Sequence, residues 1–195
     1  KSTIAKLISG FYPVSSGELK IGGVDISKYK RETLEHEIAF VFQNAKLFKT
    51  SIYENVKIGR PDASREEVIK ALDLAMCGSI LDKFETREDT IIGAKGVHLS
   101  GGETQRIAIA RAILKDAPII ILDEASAASD PENEYEMQQA FSKLMEGKTV
   151  IMIAHRLSSI RNVDEILVVE DGKVTERGSH DELIAKDSKY KKLQN

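Results

Sequence analysis

The chain carries one cysteine, Cys77, in 195 residues. A single thiol cannot close an intramolecular disulfide, and no Cys or His partners stand around it at metal spacing. Cys77 is therefore expected to be a small buried hydrophobe in a protein of a reducing, cytosolic compartment. Long apolar runs are lacking too: none approaches the roughly 18 residues of a membrane span, and the first residues, KSTIAKLISG, show no signal-peptide pattern. Any link to a membrane is expected through a partner or a further segment. Nor is there a surplus of positive charge. The net charge of −3 and isoelectric point near 5.9 argue against attachment to nucleic acid by bulk charge, leaving only a local basic patch open. Internal repeats and low-complexity linkers are absent from the sequence. What remains is ordinary: 42% hydrophobic and 30% charged residues, enough for one sizeable core or two small ones.

The pattern of apolar residues alternates between strand and helix. Ile4, Leu7 and Ile8 mark one helical face ending at Gly10. GELKIGGVDI reads as a hairpin turning at Gly22-Gly23, and EIAFVF (37–42) as a buried strand. From about Gln43 to Lys115 the periodicity is helical. Within it, Ser64 and Glu67 form a capping-box pattern ahead of the stripe Val68, Ile69, Leu72, Ala75 and Met76. APIIIL (117–122) and TVIMIA (149–154) read as buried strands. The helix between them is capped by Asp130, opened by Pro131, lined by Met137, Ala140, Phe141 and Leu144, and stopped by Gly147. EILVVE (165–170) and a hairpin at Asp171-Gly172 follow, and the stretch Lys186 to Lys192 reads as a solvated helical face. Buried strands alternating with helices indicate an α/β fold with a mostly parallel sheet.

Three stretches carry possible chemistry. Lys1-Ser2-Thr3 opens a helix, where backbone N–H groups and the macrodipole favour anions, and it matches the end of the phosphate-binding pattern G-x-x-x-x-G-K-[ST] without the glycines before it. An ordinary polar helix start would look the same. IIILDEAS ends a buried strand in Asp123 and Glu124, at the sheet edge where open α/β folds bind ligands. There an Asp can hold Mg²⁺ and a Glu can polarise water, although a strand ending in a polar turn reads no differently. In GVHLSGGETQRIAIARAIL, Ser100 and Glu103 are a capping box for the helix of Ile107, Ala110 and Leu114. A capping box does not require Gly101-Gly102, and two glycines cost helix stability unless something approaches the backbone closely.

LSGGE followed by Gln105-Arg106, ahead of LDE, resembles the signature of ATP-binding cassette (ABC) proteins, and the resemblance runs along essentially the whole chain. In those terms Lys1-Ser2-Thr3 is similar to the end of a Walker A loop and Gln43 in VFQNAKLF to the Q-loop glutamine. Ser100, Gly101 and Gly102 are similar to the signature, IIILDE to the Walker B strand, Asp130 to the D-loop aspartate and His155 in MIAHRLS to the switch histidine. By themselves, His155 and Gln43 are only polar residues beyond strands. LFKTSIYENV, GVHLSGGE and VVEDGKVTERGSHDEL resemble exporter-type nucleotide-binding domains, which follow a transmembrane domain.

The resemblance implies a RecA-like P-loop NTPase core (1–43 and 116–195), with a helical signature subdomain at 44–115. It implies ATP held by Lys1, Ser2, Thr3, Gln43, Ser100, Gly101, Gly102 and Asp130, and Mg²⁺ held by Ser2, Gln43 and Asp123. Glu124 and His155 are the implied catalytic pair. The implied partners are a transmembrane domain and a second, identical or different, nucleotide-binding domain in a head-to-tail dimer, with no nucleic acid. The implied place is the cytoplasmic face of the cell membrane. The chain is also expected to begin inside the Walker A loop, with its glycines and an adenine-stacking aromatic lying upstream. A soluble ABC ATPase acting on DNA or ribosomes, or a catalytically silent regulatory domain, would carry similar motifs. Three departures stand out: Glu103 where Gln is usual, Ser129 in AASD where an apolar residue is usual, and TIIGAKG (90–96) without the acidic residues of the exporters.

Overall fold

The computed structural model describes residues 1–42, 44–93, 97–123 and 131–193. The chain opens with α1 (Ser2–Ile8), and Gly10 follows it at φ +73°, in the left-handed region that ends helices. Its buried side is Ala5 with Ile8, while Ile4 is exposed. The stripe is thus rotated from the Ile4–Leu7–Ile8 face, because Ala5 is the position that joins Leu34, Ile121 and Ile153 in one apolar cluster. The expected hairpin is present. Strands β1 (Lys20–Ile21) and β2 (Val24–Asp25) are antiparallel, and Gly22 and Gly23 take φ of +59° and +80°, the two positive values a type I′ turn requires.

Helix α2 (Arg31–Glu37) comes next and runs directly into β3 (Ile38–Val41). Its sequence, RETLEHE, offers only Leu34 as an apolar signal, which is why periodicity missed it. Among the described residues between β3 and the next strand lie the α-helices α3 (Ile52–Lys57), α4 (Arg65–Leu74), α5 (Gly78–Leu81) and α6 (Gly101–Lys115). The Ser64–Glu67 capping box of α4 is formed in both directions, with Val68, Leu72 and Ala75 buried behind it. Met76 leaves that stripe: α4 ends at Leu74 and Met76 turns at φ +57°.

Strand β4 (Ile119–Asp123), α7 (Pro131–Met145) and β5 (Thr149–Ile153) complete a parallel sheet in the order β3-β4-β5. The register sets Val41 beside Leu122 and Asp123 beside Ile153. Both faces are covered, which accounts for the unbroken apolar runs. Ile38, Ile121 and Ile153 face the α1 side. Ala39, Val41, Ile120 and Leu122 join a larger core with the helices between β3 and β4 and with Met137, Ala140 and Leu144 of α7. Cys77 sits in that core, fully buried, and burial pushes its thiol up to about 12. The chain ends in the antiparallel pair β6 (Ile166–Glu170) and β7 (Lys173–Gly178), joined at Asp171-Gly172, then α8 (His180–Ile184) and α9 (Lys189–Lys192). The lysines of α9 are exposed as expected, but Tyr190 between them is 1% exposed and anchors the helix against Ile166 and Leu183.

Asn55 of α3 is fully buried and fixes the segment that precedes its helix. Its amide donates to the carbonyls of Phe48 (3.0 Å) and Ser51 (2.9 Å), and its oxygen accepts from the Phe48 N–H (2.8 Å) and from the Arg111 guanidinium (3.2 Å). Replacing it by alanine strands several of these groups in a dry interior. Asn55→Ala is expected to lower stability by about 2 kcal/mol or more in denaturant unfolding; a loss below roughly 0.5 kcal/mol would show that water replaces the network.

Candidate functional site

Parallel pairing brings Asp123 and the strand end that precedes His155 to one sheet edge. Asp123 ends β4 and pairs with Ile153, which stands two residues before His155. Val41 of β3 pairs with Leu122 and stands two residues before Gln43. By strand alternation Asp123 belongs to the face of Ile119 and Ile121, the face that α1 covers. His155 is exposed and lines a small depression with Ser158 and Arg161. Lys1, Ser2 and Thr3 are exposed at the start of α1, with Lys1 at the N-cap position. Gln43, Glu124, Ser129 and Asp130 lie outside the described residues, as do Ala94, Lys95 and Gly96 of the TIIGAKG stretch. Among the described residues no three His, Cys, Asp or Glu side chains converge on a metal site. Asp123 at the end of β4 and Ser2 at the start of α1 offer a carboxylate and a hydroxyl, oxygen donors of the kind Mg²⁺ would take together with phosphate and water.

The start of α6 is the best-defined part of the site. Ser100 is the N-cap and its hydroxyl accepts the Glu103 N–H at 3.2 Å, while the Glu103 carboxylate accepts the Ser100 N–H at 3.0 Å. The capping box leaves the Ser100 O–H hydrogen to donate elsewhere. Helix geometry leaves the Gly101 and Gly102 N–H groups without an intrahelical acceptor. A side chain at either glycine would meet little of the chain. Nothing of the described protein lies within 4 Å of a Cβ placed on Gly101, and only the Met137 Cε, at 3.9 Å, near one on Gly102. Gly59 is the contrast, where a Cβ would come within 2.3 Å of the Arg111 carbonyl oxygen. Gly59 is glycine because the fold demands it; Gly101 and Gly102 answer to nothing inside the described chain.

Glu103 is the usual-Gln position, and its side chain is only 9% exposed. Burial pushes its carboxyl up, but a hydrogen bond from the Lys83 ammonium, the Ser100 N–H and the charges of Lys83 and Arg106 bring it below the ordinary glutamate value. Sequence periodicity could not have found Lys83, which sits 20 residues upstream beyond α5. It also missed what α6 does with its polar residues. Arg106 is 2% exposed and donates to the Met76 carbonyl (2.8 Å), Ser79 (3.3 Å), Asn133 (3.1 Å) and the Glu136 carboxylate of α7. Gln105 donates from its amide to the Phe42 carbonyl (3.3 Å), next to Gln43.

A groove of about 890 Å³ opens beside β3, between α2 and α6. Phe42, Phe48, Ile58 and Pro61 line it, with the charges of Arg111 and Lys115 on the α6 bank and Glu32 and Glu35 on the α2 bank. Phe42, Phe48 and Ile58 are each about half exposed. Arg111 holds the Asn55 carbonyl at 2.8 Å and stacks over the Phe48 ring, and burial lowers its guanidinium below the usual value.

The family model for ABC transporters matches residues 1–127. The ATP-dependent lipid A-core flippase of Vibrio vulnificus (strain YJ016) is 48% identical over 194 residues, covering 99% of this chain and 33% of the flippase. ABC transporter B family member 14 of Arabidopsis thaliana is also 48% identical over 194 residues, which are 16% of its length. The structure of a bacterial Atm1-family ABC exporter with ATP bound superposes with a TM-score of 0.90 at 38% identity, over 100% of this chain and 34% of the exporter chain. The chain thus spans about a third or less of these proteins. With its α/β core, parallel sheet and glycine-led α6 matched along this length, the chain belongs to the ABC transporter family, as an exporter-type nucleotide-binding domain.

Proposed function

We propose that this domain binds and hydrolyses ATP and that the energy drives export through a transmembrane part of the same transporter. The observation that carries the reading is the pair Gly101-Gly102. Two glycines at a helix start cost stability, no described atom of this chain requires them, and the exposed Ser100 hydroxyl and two N–H groups beside them form an anion cradle. A ligand presented from outside, the triphosphate held by a second nucleotide-binding domain, fits that cradle. In this reading Lys1, Ser2 and Thr3 of one domain hold the phosphates of its own ATP, and Ser100 and Gly102 of the facing domain close the site. Mg²⁺, held by Ser2, Asp123 and Gln43, would neutralise phosphate charge there. Glu124 would take the proton of the attacking water, His155 would contact the γ-phosphate, and Gln43 and Asp130 would complete the nucleotide site.

The groove beside β3 suits a segment of the transmembrane part. It is apolar along its floor, charged on both banks, and rooted by Asn55 and Arg111 in the helices of the signature segment. It also lies next to Phe42, whose carbonyl Gln105 of α6 holds. Movement of α6 on closing over ATP would therefore reach the groove, and in this reading the domain works at the cytoplasmic face of a membrane. The segment 44–115 acts in this scheme as a lobe carrying the signature and the docking groove together. The described residues contain no helix long and apolar enough to cross a membrane.

Two substitutions test this in the complete transporter. Gly101→Ala is expected to raise the unfolding stability without nucleotide by roughly 0.5–1 kcal/mol, because alanine favours the helix and meets no neighbour. The same methyl group fills the cradle, so turnover should fall at least about tenfold; unchanged ATP hydrolysis would sink the cradle. Glu124→Gln is expected to abolish hydrolysis while equilibrium ATP binding persists, since the lost carboxylate acts only on the attacking water. Near-normal turnover in that variant removes Glu124 from its role.

A further inference from the structure

The start of α6 presents an electrostatic problem. A helix N-terminus carries the equivalent of about +0.5 elementary charge, and this attracts an anion. Glu103 places a full negative charge in the same turn, so the sum over helix end and carboxylate is about −0.5, which repels one. Water does little to screen that carboxylate, because its side chain is only 9% exposed. A glutamine could make the same reciprocal bond to the Ser100 N–H with no charge at all. Among the described residues the cation paired with Glu103 is Lys83, which returns the sum to about +0.5. Arg106 contributes little more, since Glu136 matches its charge.

Lys83 is also held where it can act. It follows α5, whose Ile80 and Leu81 are buried in the main core, its N–H donates to the Ile80 carbonyl at 3.3 Å, and the Phe84 that follows packs against the same core. Its ammonium bonds Glu103 Oε1, while Oε2 accepts the Ser100 N–H. One carboxylate thus joins the lysine to the N-cap residue. We propose that Lys83 is a positioning residue for the ATP reaction: by neutralising Glu103 it keeps Ser100 and the Gly101 and Gly102 N–H groups attractive to the triphosphate of the facing domain. The proposal rests on the reading of α6 as the half-site that closes over that nucleotide. It makes Lys83 and Glu103 one unit, in which the lysine is needed only because the glutamate is present.

The test is a double-mutant cycle on steady-state ATP hydrolysis by the complete transporter. Lys83→Met is expected to raise the KM for Mg-ATP about tenfold with kcat held within about twofold, because the charge affects closure over the nucleotide and not the attack of water. In a Glu103→Gln background the same Lys83→Met change should alter KM by less than about twofold. Lys83→Arg, which keeps the charge, should rescue the KM and separates charge loss from a folding defect. An unchanged KM in Lys83→Met overturns the proposal, and so does an equal penalty in the two backgrounds. Ser100→Arg, measured in parallel, tests the underlying reading: it should abolish turnover by filling the cradle. Wild-type turnover there would retire α6 as a nucleotide half-site, whereas a dead Ser100→Arg beside a normal Lys83→Met retires Lys83 alone.

Discussion

Arg106 brings a full charge into the middle of α6, where it is 2% exposed, and the surrounding elements are arranged to receive it. Its guanidinium meets the carbonyl of Met76 in the turn after α4, Ser79 of α5, and Asn133 and Glu136 of α7. A buried ion pair is a weak source of net stability, because desolvation offsets most of the attraction. Removing one partner is another matter, since the other charge is then left stranded. What the arrangement supplies is geometry. The fork of Arg106 fixes α5, α7 and the turn after α4 to α6 within two turns of Ser100, so the proposed anion cradle is mounted on a firmly connected part of the domain.

That mounting explains how a glycine-led helix start stays ordered. Gly101 and Gly102 weaken the first turn, and the Ser100–Glu103 capping box offsets part of the loss. From Gln105 to Ala110 every residue of α6 is buried, so packing holds the helix where propensity would let it fray. The helix start is consequently open toward solvent at Ser100 and Gly101 and packed behind. Replacing the usual glutamine by Glu103 keeps the cap but adds a charge that the local sequence cannot neutralise, and the answer comes from Lys83 across a turn of chain.

Features that depend on neighbours within a few residues were legible in the sequence. The capping boxes of α4 and α6, the two hairpin turns with paired positive φ, and the strands of the parallel sheet follow from residue order alone. So did the placing of Asp123 and His155 at one sheet edge, because parallel strands in register carry their ends together. Helix α2 was missed because one leucine makes no stripe, and the α1 face was rotated because Ala5 outranks Ile4 only when Leu34 is known to lie opposite. Lys83, Arg106 and Asn55 were illegible for a common reason. A polar residue in a sequence reads as surface, and partners 20 residues away for Lys83, 30 for Arg106 and both 7 and 56 for Asn55 turn these three into buried or paired groups.

The distribution of apolar residues carries the last step. The sheet face of Ala39, Val41, Ile120 and Leu122 and the helices from α3 to α6 form one continuous core. A signature segment with its own separate core could pivot freely and lose the motion in its linker. A shared core deforms little, because close-packed side chains resist small shifts. Displacement of the α6 start by a ligand must then appear at the polar connections along its edges: at the Phe42 carbonyl through Gln105, and at Asn55 through Arg111. Both connections end on residues of, or anchored beside, the half-exposed aromatic groove. The start of α6 proposed as an anion cradle and the groove lined by Arg111 and Lys115 are therefore served by a single helix, packed along its length in one core.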